Sequence, residues 1–120
     1  MGDISPWFNR AEFACNCGCG FDTVDSDTLA VLEEVREQFN AAVTINSGCR
    51  CASWNAQCGG EQNSLHMQAR ATDIVVEGVP PSVVAEFLDM GPLSGRGGLG
   101  RYDTFTHVDS RSSGPARWSG

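Results

Sequence analysis

The sequence predicts a small α+β domain whose mostly antiparallel sheet is flanked by helices. The 120 residues suffice for one compact core but not for two, so we expect a single domain over residues 1–120. A hydrophobic fraction of 41% is ordinary for a folded globular protein. Patterns typical of regular structure follow in the order helix, strand, loop, strand, helix, strand, strand, and grouped strands of this kind favour an α+β class.

The first half of the chain contributes one clear helix and one short strand. Residues 1–24 are rich in cysteine and are expected to be irregular, because proline and glycine interrupt them. Apolar residues then recur at helical spacing from about Ser26 to Phe39, with glutamates on the other side. Val43–Asn46 has the composition of a strand. Residues 49–63 are polar and predict a loop, with a short helix at about Ala52–Gln57.

The second half contributes the strongest strand and a closing pair of strands. Ala71–Val76 is the best strand pattern in the chain. A helix is predicted over Val83–Met90, because prolines are tolerated in the first turn of a helix. Gly95–Gly100 predicts a glycine-rich connection. Leu99–Tyr102 and Phe105–Ser110 then predict two paired strands.

The charge balance excludes several kinds of partner. The net charge is -7, from 15 acidic residues against 8 basic ones. Sequence-independent binding to nucleic acid needs clustered positive charge, so we expect no nucleic-acid partner. No apolar run approaches the ~20 residues of a membrane span, and the N-terminus lacks the pattern of a secretory signal. We expect a monomer that does not interact with a membrane.

Six cysteines are many for this length, and they fall into two groups. Without a secretory signal we expect a reducing compartment, which disfavours structural disulfides. Structural zinc sites usually space their ligands C-x2-4-C, whereas most of these pairs are C-x-C. Reduced thiols packed as small apolar side chains are therefore favoured, while disulfides and a second metal remain open. The two groups are Cys15, Cys17 and Cys19, and Cys49, Cys51 and Cys58.

The only two histidines suggest a metal site. His66 is followed seven residues later by Asp73, and His107 lies far along the chain. Catalytic zinc sites use three protein ligands of these types and leave a fourth position for water. Spacing alone, however, favours structural or exposed histidines.

A resemblance to a known family strengthens the metal interpretation. The segment Ser64-x-His66-x-x-Ala69-x-Ala71-x-Asp73-Ile74 closely resembles the S-x-H-x-x-G-x-A-x-D-[IL] motif of the M15 metallopeptidases. This family includes D-alanyl-D-alanine carboxypeptidases and L-alanyl-D-glutamate endopeptidases, among them many phage endolysins. Further segments resemble the same family in the same order: the Phe13–Cys19 cysteine segment, Ser47-Gly48-Cys49-Arg50 with Gly59-Gly60, and His107-Val108-Asp109 with Arg117-Trp118.

The resemblance implies a hedgehog/D-Ala-D-Ala peptidase-like fold and one zinc ion per chain, held by His66, Asp73 and His107. It implies that Arg50 holds a substrate carboxylate, since arginine binds carboxylates bidentately and stays charged. Ser64 is expected to touch substrate, although a turn-forming serine is the alternative. The implied activity is zinc-dependent hydrolysis of stem or cross-bridge peptides of bacterial peptidoglycan. A phage-type protein would stay in the host cytoplasm until lysis or be carried in the virion.

Three departures from the family pattern bear on the mechanism. Ala69 replaces a glycine, Cys49 replaces a tyrosine, and Thr104 stands where many relatives carry the acidic general base. Asp109 shares a strand face with His107 and is the favoured replacement, with Asp103 as the alternative. Asp109 could instead orient a ligand histidine, or be a ligand itself.

Two other functions remain open. One is a catalytically silent peptidoglycan-binding or virion structural module that retains the zinc site. The other is a metal or redox protein in which the cysteines are the functional groups.

Overall fold

In a computed structural model, residues 4–60, 64–112 and 114–120 are described. Residues 1–3 of the predicted irregular segment and 61–63 of the predicted loop lie outside this range. Three α-helices and one five-stranded sheet form the described part, together with two short 3₁₀ helices. The helices are α1 (Ser26–Phe39), α2 (Ala52–Gln57) and α3 (Pro81–Met90), and the strands are β1 (Val43–Ser47), β2 (Ala71–Val76), β3 (Gly98–Arg101), β4 (Thr106–Asp109) and β5 (Ala116–Ser119).

Helix α1 has the limits that its apolar spacing predicts. The Asp25 carboxylate accepts hydrogen bonds from the backbone N–H groups of Asp27 and Thr28 and so caps the first turn. The helix ends at Asn40, whose φ of 46° is left-handed. No helix in the described ranges is long and apolar enough to cross a membrane.

The sheet confirms the predicted α+β class with mostly antiparallel strands. Its order is β1-β2-β4-β3-β5, and every neighbouring pair is antiparallel except β3 and β5, which are parallel. Strand β5 was not predicted. Strand β3 was predicted at Leu99–Tyr102, but it begins and ends one residue earlier. Gly98 already pairs with Asp109, and Tyr102 lies beyond the end of the strand.

The two faces of the sheet have different roles. Alternate side chains of β2, β3 and β4 enter the core beneath α1 and α3, among them Ile74, Leu99 and Val108. The residues between them point to the opposite face. There, β2 contributes Asp73 and β4 contributes His107, and this face carries the candidate site.

The N-terminal segment is irregular, as predicted, apart from a 3₁₀ helix at Arg10–Phe13. It is nevertheless anchored, because the Phe8 and Phe13 side chains are fully buried in the core. The Phe13 carbonyl also accepts a hydrogen bond from the Cys49 N–H at 3.1 Å. The segment therefore packs against the loop that follows β1.

Candidate metal centre

The register of β2 and β4 brings the second and third predicted ligands together. Asp73 and His107 are directly opposite each other in this antiparallel pair. Because residues opposite each other across a sheet extend to the same face, their side chains meet. His107 Nδ1 lies 2.9 Å from Asp73 Oδ1.

The first predicted ligand, His66, comes from the 3₁₀ helix Leu65–Gln68 just before β2. Ser64 caps this helix, its hydroxyl accepting the His66 N–H at 3.2 Å. Ala69 ends the helix with a left-handed φ of 58°, a conformation that costs least for glycine. The motif that this segment resembles has a glycine at this position, which agrees with the left-handed conformation of Ala69.

The His66 ring is held by its Nδ1 atom, which lies 2.7 Å from the Gly48 carbonyl. A carbonyl oxygen only accepts, so Nδ1 carries the proton and donates it. The Nε2 atom is then the available ligand atom, and it lies 3.5 Å from Asp73 Oδ1. The tautomer of His66 is thus set by a backbone contact, as is usual for metal-binding histidines.

The three donors fit a zinc ion in type and position. Each of His66, Asp73 and His107 offers one ligand atom, and these atoms lie within 4.8 Å of one another. Two imidazole nitrogens and one carboxylate oxygen form a donor set that zinc accepts. Burial alone would raise the pKa of Asp73, but its interactions with the His107 and His66 rings outweigh it and hold the pKa below its ordinary value. The carboxylate is therefore ionised, as a ligand must be.

Asp109 lies behind His107, with both of its oxygens engaged. His107 Nε2 donates to Asp109 Oδ2 at 2.9 Å, and Arg111 Nη2 donates to the same oxygen at 2.7 Å. Asp109 Oδ1 accepts from the Arg111 Nε and backbone N–H groups at 2.9 and 3.1 Å. Burial would raise the pKa of Asp109, but these hydrogen bonds from Arg111 and His107 hold it below its ordinary value. The geometry thus favours an orienting carboxylate over the general base that the sequence suggested.

Space for this carboxylate comes from a glycine on the neighbouring strand. Asp109 is fully buried, and a Cβ atom built on Gly98 would collide with its carboxylate group. Gly100 similarly leaves room for the Trp118 indole, which packs against the His107 ring at 5.0 Å between centroids. The two glycines of β3 therefore leave room on this face of the sheet for the Asp109 and Trp118 side chains, which both contact His107.

Arg50 lies in the wall of a cavity of about 590 Å³ that opens over the three donors. Its guanidinium donates to Ser47 Oγ and Asn55 Oδ1, each at 3.2 Å. Its Nη2 atom is also 3.5 Å from Asp73 Oδ2. Ser64 lines the same cavity, so both predicted substrate residues face this space.

The alternative base, Asp103, has a different location. It is exposed in the turn between β3 and β4 and is not among the described residues that line the cavity. Thr104 beside it is also exposed.

Several cavity residues were not predicted from the sequence, notably Arg111 and Tyr102. Tyr102 stacks on Phe105 and accepts a hydrogen bond from Trp118 Nε1 at 2.9 Å. Arg111 follows Asp109 by two residues. If the alternation of side chains continues beyond β4, Arg111 lies on the same face as Asp109, and this could have been predicted from the sequence. Tyr102 had no comparable signal, because its place depends on the unpredicted β5.

A comparison with protein-family models supports the resemblance noted above. The Peptidase M15 model matches residues 6–109. No curated protein and no solved structure matches the chain. The matched range covers most of the chain and includes all three donors, and members of the family are metal-dependent peptidases. This chain belongs to the Peptidase M15 family.

Proposed function

We propose that this protein is a zinc-dependent peptidase that hydrolyses peptide bonds of bacterial peptidoglycan, as an endolysin-like endopeptidase or a D,D-carboxypeptidase. The observation that carries the proposal is the donor set His66, Asp73 and His107 at an open cavity whose wall holds Arg50. A cavity of about 590 Å³ is within the size range of pockets that bind small ligands.

His66, Asp73 and His107 would hold the zinc ion. The ion supplies Lewis acidity, which activates water and polarises a carbonyl group. The chain prepares the ligands for this role, because the Gly48 carbonyl fixes the His66 ring and Asp109 fixes the His107 ring. Such outer contacts set the ligand tautomer and increase ligand basicity.

Arg50 would bind a substrate carboxylate near the scissile bond. Stem peptides carry such a group at the D-alanine terminus or on D-glutamate. The net charge of -7 repels anionic peptides, so a local cation is needed to hold them. Ser47 and Asn55 fix the Arg50 side chain, which reduces the entropy lost when substrate binds.

The activity is tested by digestion of purified peptidoglycan with the zinc-loaded protein, followed by mass spectrometry of the products. We expect newly cleaved stem or cross-bridge peptides, with Asp73→Asn as the inactive matched control. Release of free D-alanine would identify a carboxypeptidase, and cleavage within the stem would identify an endopeptidase. Intact peptidoglycan would contradict the proposed activity.

A catalytically silent module is the second candidate, and one observation favours it. Among the described acidic residues, Asp73 and Asp109 line the cavity, and Asp109 has both oxygens engaged by Arg111 and His107. Thr104 occupies the position of the usual acidic base. The silent module predicts that the zinc-loaded protein co-sediments with peptidoglycan but releases no fragments.

A further inference from the structure

Four cysteine thiols form a second cluster of donors, separate from the histidine site. Three lie on the irregular N-terminal loop, and the fourth is the residue that precedes α2. Their Sγ atoms all lie within 4.8 Å of one another. We call this the thiol cluster, and its members are Cys15, Cys17, Cys19 and Cys51.

The distances within the thiol cluster match a tetrahedral metal site. The Cys15 and Cys17 sulfurs are 3.4 Å apart, and the Cys51 sulfur lies 3.8 Å from Cys15 and 3.6 Å from Cys17. Zinc binds thiolates at ~2.3 Å, so the sulfurs of a tetrahedral site are about 3.8 Å apart. A disulfide needs ~2.05 Å, and the six cysteines are all free in this structure.

Packing does not explain the cluster. Cys17 and Cys19 are exposed, so their thiols bury little apolar surface. Cys49 shows what a packed thiol looks like in this protein: it is buried, and its Sγ lies 3.0 Å from the Phe13 carbonyl and 2.9 Å from the Phe21 carbonyl. The packed interpretation therefore fits Cys49 but not Cys17 and Cys19, the exposed members of the thiol cluster.

Backbone N–H groups already point at two of the sulfurs. The Cys51 N–H donates to Cys15 Sγ, and the Trp54 N–H donates to Cys51 Sγ, each at 3.4 Å. Hydrogen bonds of this kind stabilise negative charge on sulfur, which thiolate ligands carry. The donors around the cluster thus suit ionised cysteines.

We propose that the thiol cluster binds a structural zinc ion, separate from the ion at the histidine site. The ion would join the N-terminal loop to the start of α2. Cys51 directly follows Arg50, so the ion would also anchor the segment that presents this arginine to the cavity. The C-x-C spacing of Cys15, Cys17 and Cys19 disfavoured a zinc site. That spacing says nothing of the fourth ligand, Cys51, which comes from a distant segment of the chain.

Metal analysis of paired variants tests the second site. The double variant Cys17→Ser/Cys19→Ser changes two exposed side chains and leaves the core untouched. We expect it to hold one zinc equivalent fewer than the wild type. Cys58→Ser, an exposed cysteine outside the cluster, is the matched control and should retain the full wild-type zinc content. Equal zinc in the double variant and the wild type would overturn the proposal.

A spectroscopic readout covers the case in which the double variant does not fold. Cobalt-substituted His66→Ala protein should show intense thiolate-to-cobalt charge-transfer absorption, because the cluster remains intact. The exposed Cys17 and Cys19 thiols should resist alkylation until a chelator is added, whereas the exposed Cys58 thiol should react at once. Absence of the band with Cys17 and Cys19 as reactive as Cys58, or disulfides in the intact mass of freshly purified protein, would overturn the proposal. These readouts do not depend on peptidase activity, so failure of the proposed function would leave them unchanged.

Discussion

Replacing Asp109 with asparagine distinguishes between two roles of this residue, orienting His107 and acting as the general base. The aspartate accepts hydrogen bonds from His107 at 2.9 Å and from Arg111 at 2.7 Å on the same oxygen. Asparagine has one acceptor oxygen, so its NH₂ group would face either these two donors or the Arg111 N–H groups that now donate to the other oxygen. The buried pairing with Arg111 is also lost, because asparagine carries no charge.

The expected cost falls mainly on metal affinity. Removing an outer contact to a ligand histidine typically weakens metal binding ~10–100-fold. At about 1.4 kcal/mol per tenfold, this corresponds to roughly 1.4–2.8 kcal/mol of zinc binding free energy. If Asp109 were instead the base, zinc affinity would stay and turnover would fall by ~10²–10⁴-fold.

The assay exploits the fact that the chain has only two histidines. Ring resonances of His66 and His107 therefore report zinc at this site alone, even with a second ion at the thiol cluster. Titration against a competing chelator gives the zinc affinity of the Asp109→Asn protein. The control is Asp103→Asn, which makes the same substitution at an exposed aspartate. Unchanged affinity in Asp109→Asn together with collapsed turnover would refute the orienting role, and loss of turnover in Asp103→Asn would make that residue the base.

Three further predictions concern the cavity wall, the sheet and the first helix. Arg50→Ala should lower kcat/KM roughly 10–150-fold, since a charged hydrogen bond contributes ~1.5–3 kcal/mol, and a substrate with its carboxylate amidated should be cleaved equally by both proteins. Gly98→Ala should weaken zinc binding as Asp109→Asn does, because the added methyl group displaces the carboxylate; wild-type affinity measured by the same titration would contradict this. Asp25→Ala should lower the free energy of unfolding by about 1 kcal/mol at neutral pH, because it removes the cap of α1. Burial would raise the pKa of Asp25, but hydrogen bonds from Ser110 and from backbone N–H groups hold this pKa below 3.8. The stabilisation by Asp25 is therefore present above that pH and is lost in stronger acid. Urea unfolding at pH 7 and at acid pH should show that the difference in unfolding free energy between variant and wild type becomes smaller in acid.

Local patterns were sufficient to predict most of the fold. Helix α1 and strand β2 were found because apolar periodicity and β-branched residues specify them without distant contacts. Strand β5 was missed because Ala116–Ser119 has little strand character of its own. It becomes a strand by pairing with β3, a contact between distant segments that no local pattern encodes.

The candidate site was predicted in its residues but not in its contacts. Motif resemblance selected His66, Asp73 and His107, and strand alternation placed Asp109 on the face of His107. Neither could show that Arg111 engages both oxygens of Asp109, since that depends on how the chain leaves β4. The thiol cluster was left open for a similar reason: Cys51 reaches the N-terminal cysteines only through the tertiary fold.

The central claim is that the two histidines and Asp73 bind zinc, and elemental analysis of purified variants tests it most directly. His66→Ala and His107→Ala, each confirmed as folded by circular dichroism, are compared with the wild type. We predict that each variant contains one zinc equivalent fewer than the wild type. Full wild-type zinc content in both variants would contradict the account and leave the cysteines as the ligands.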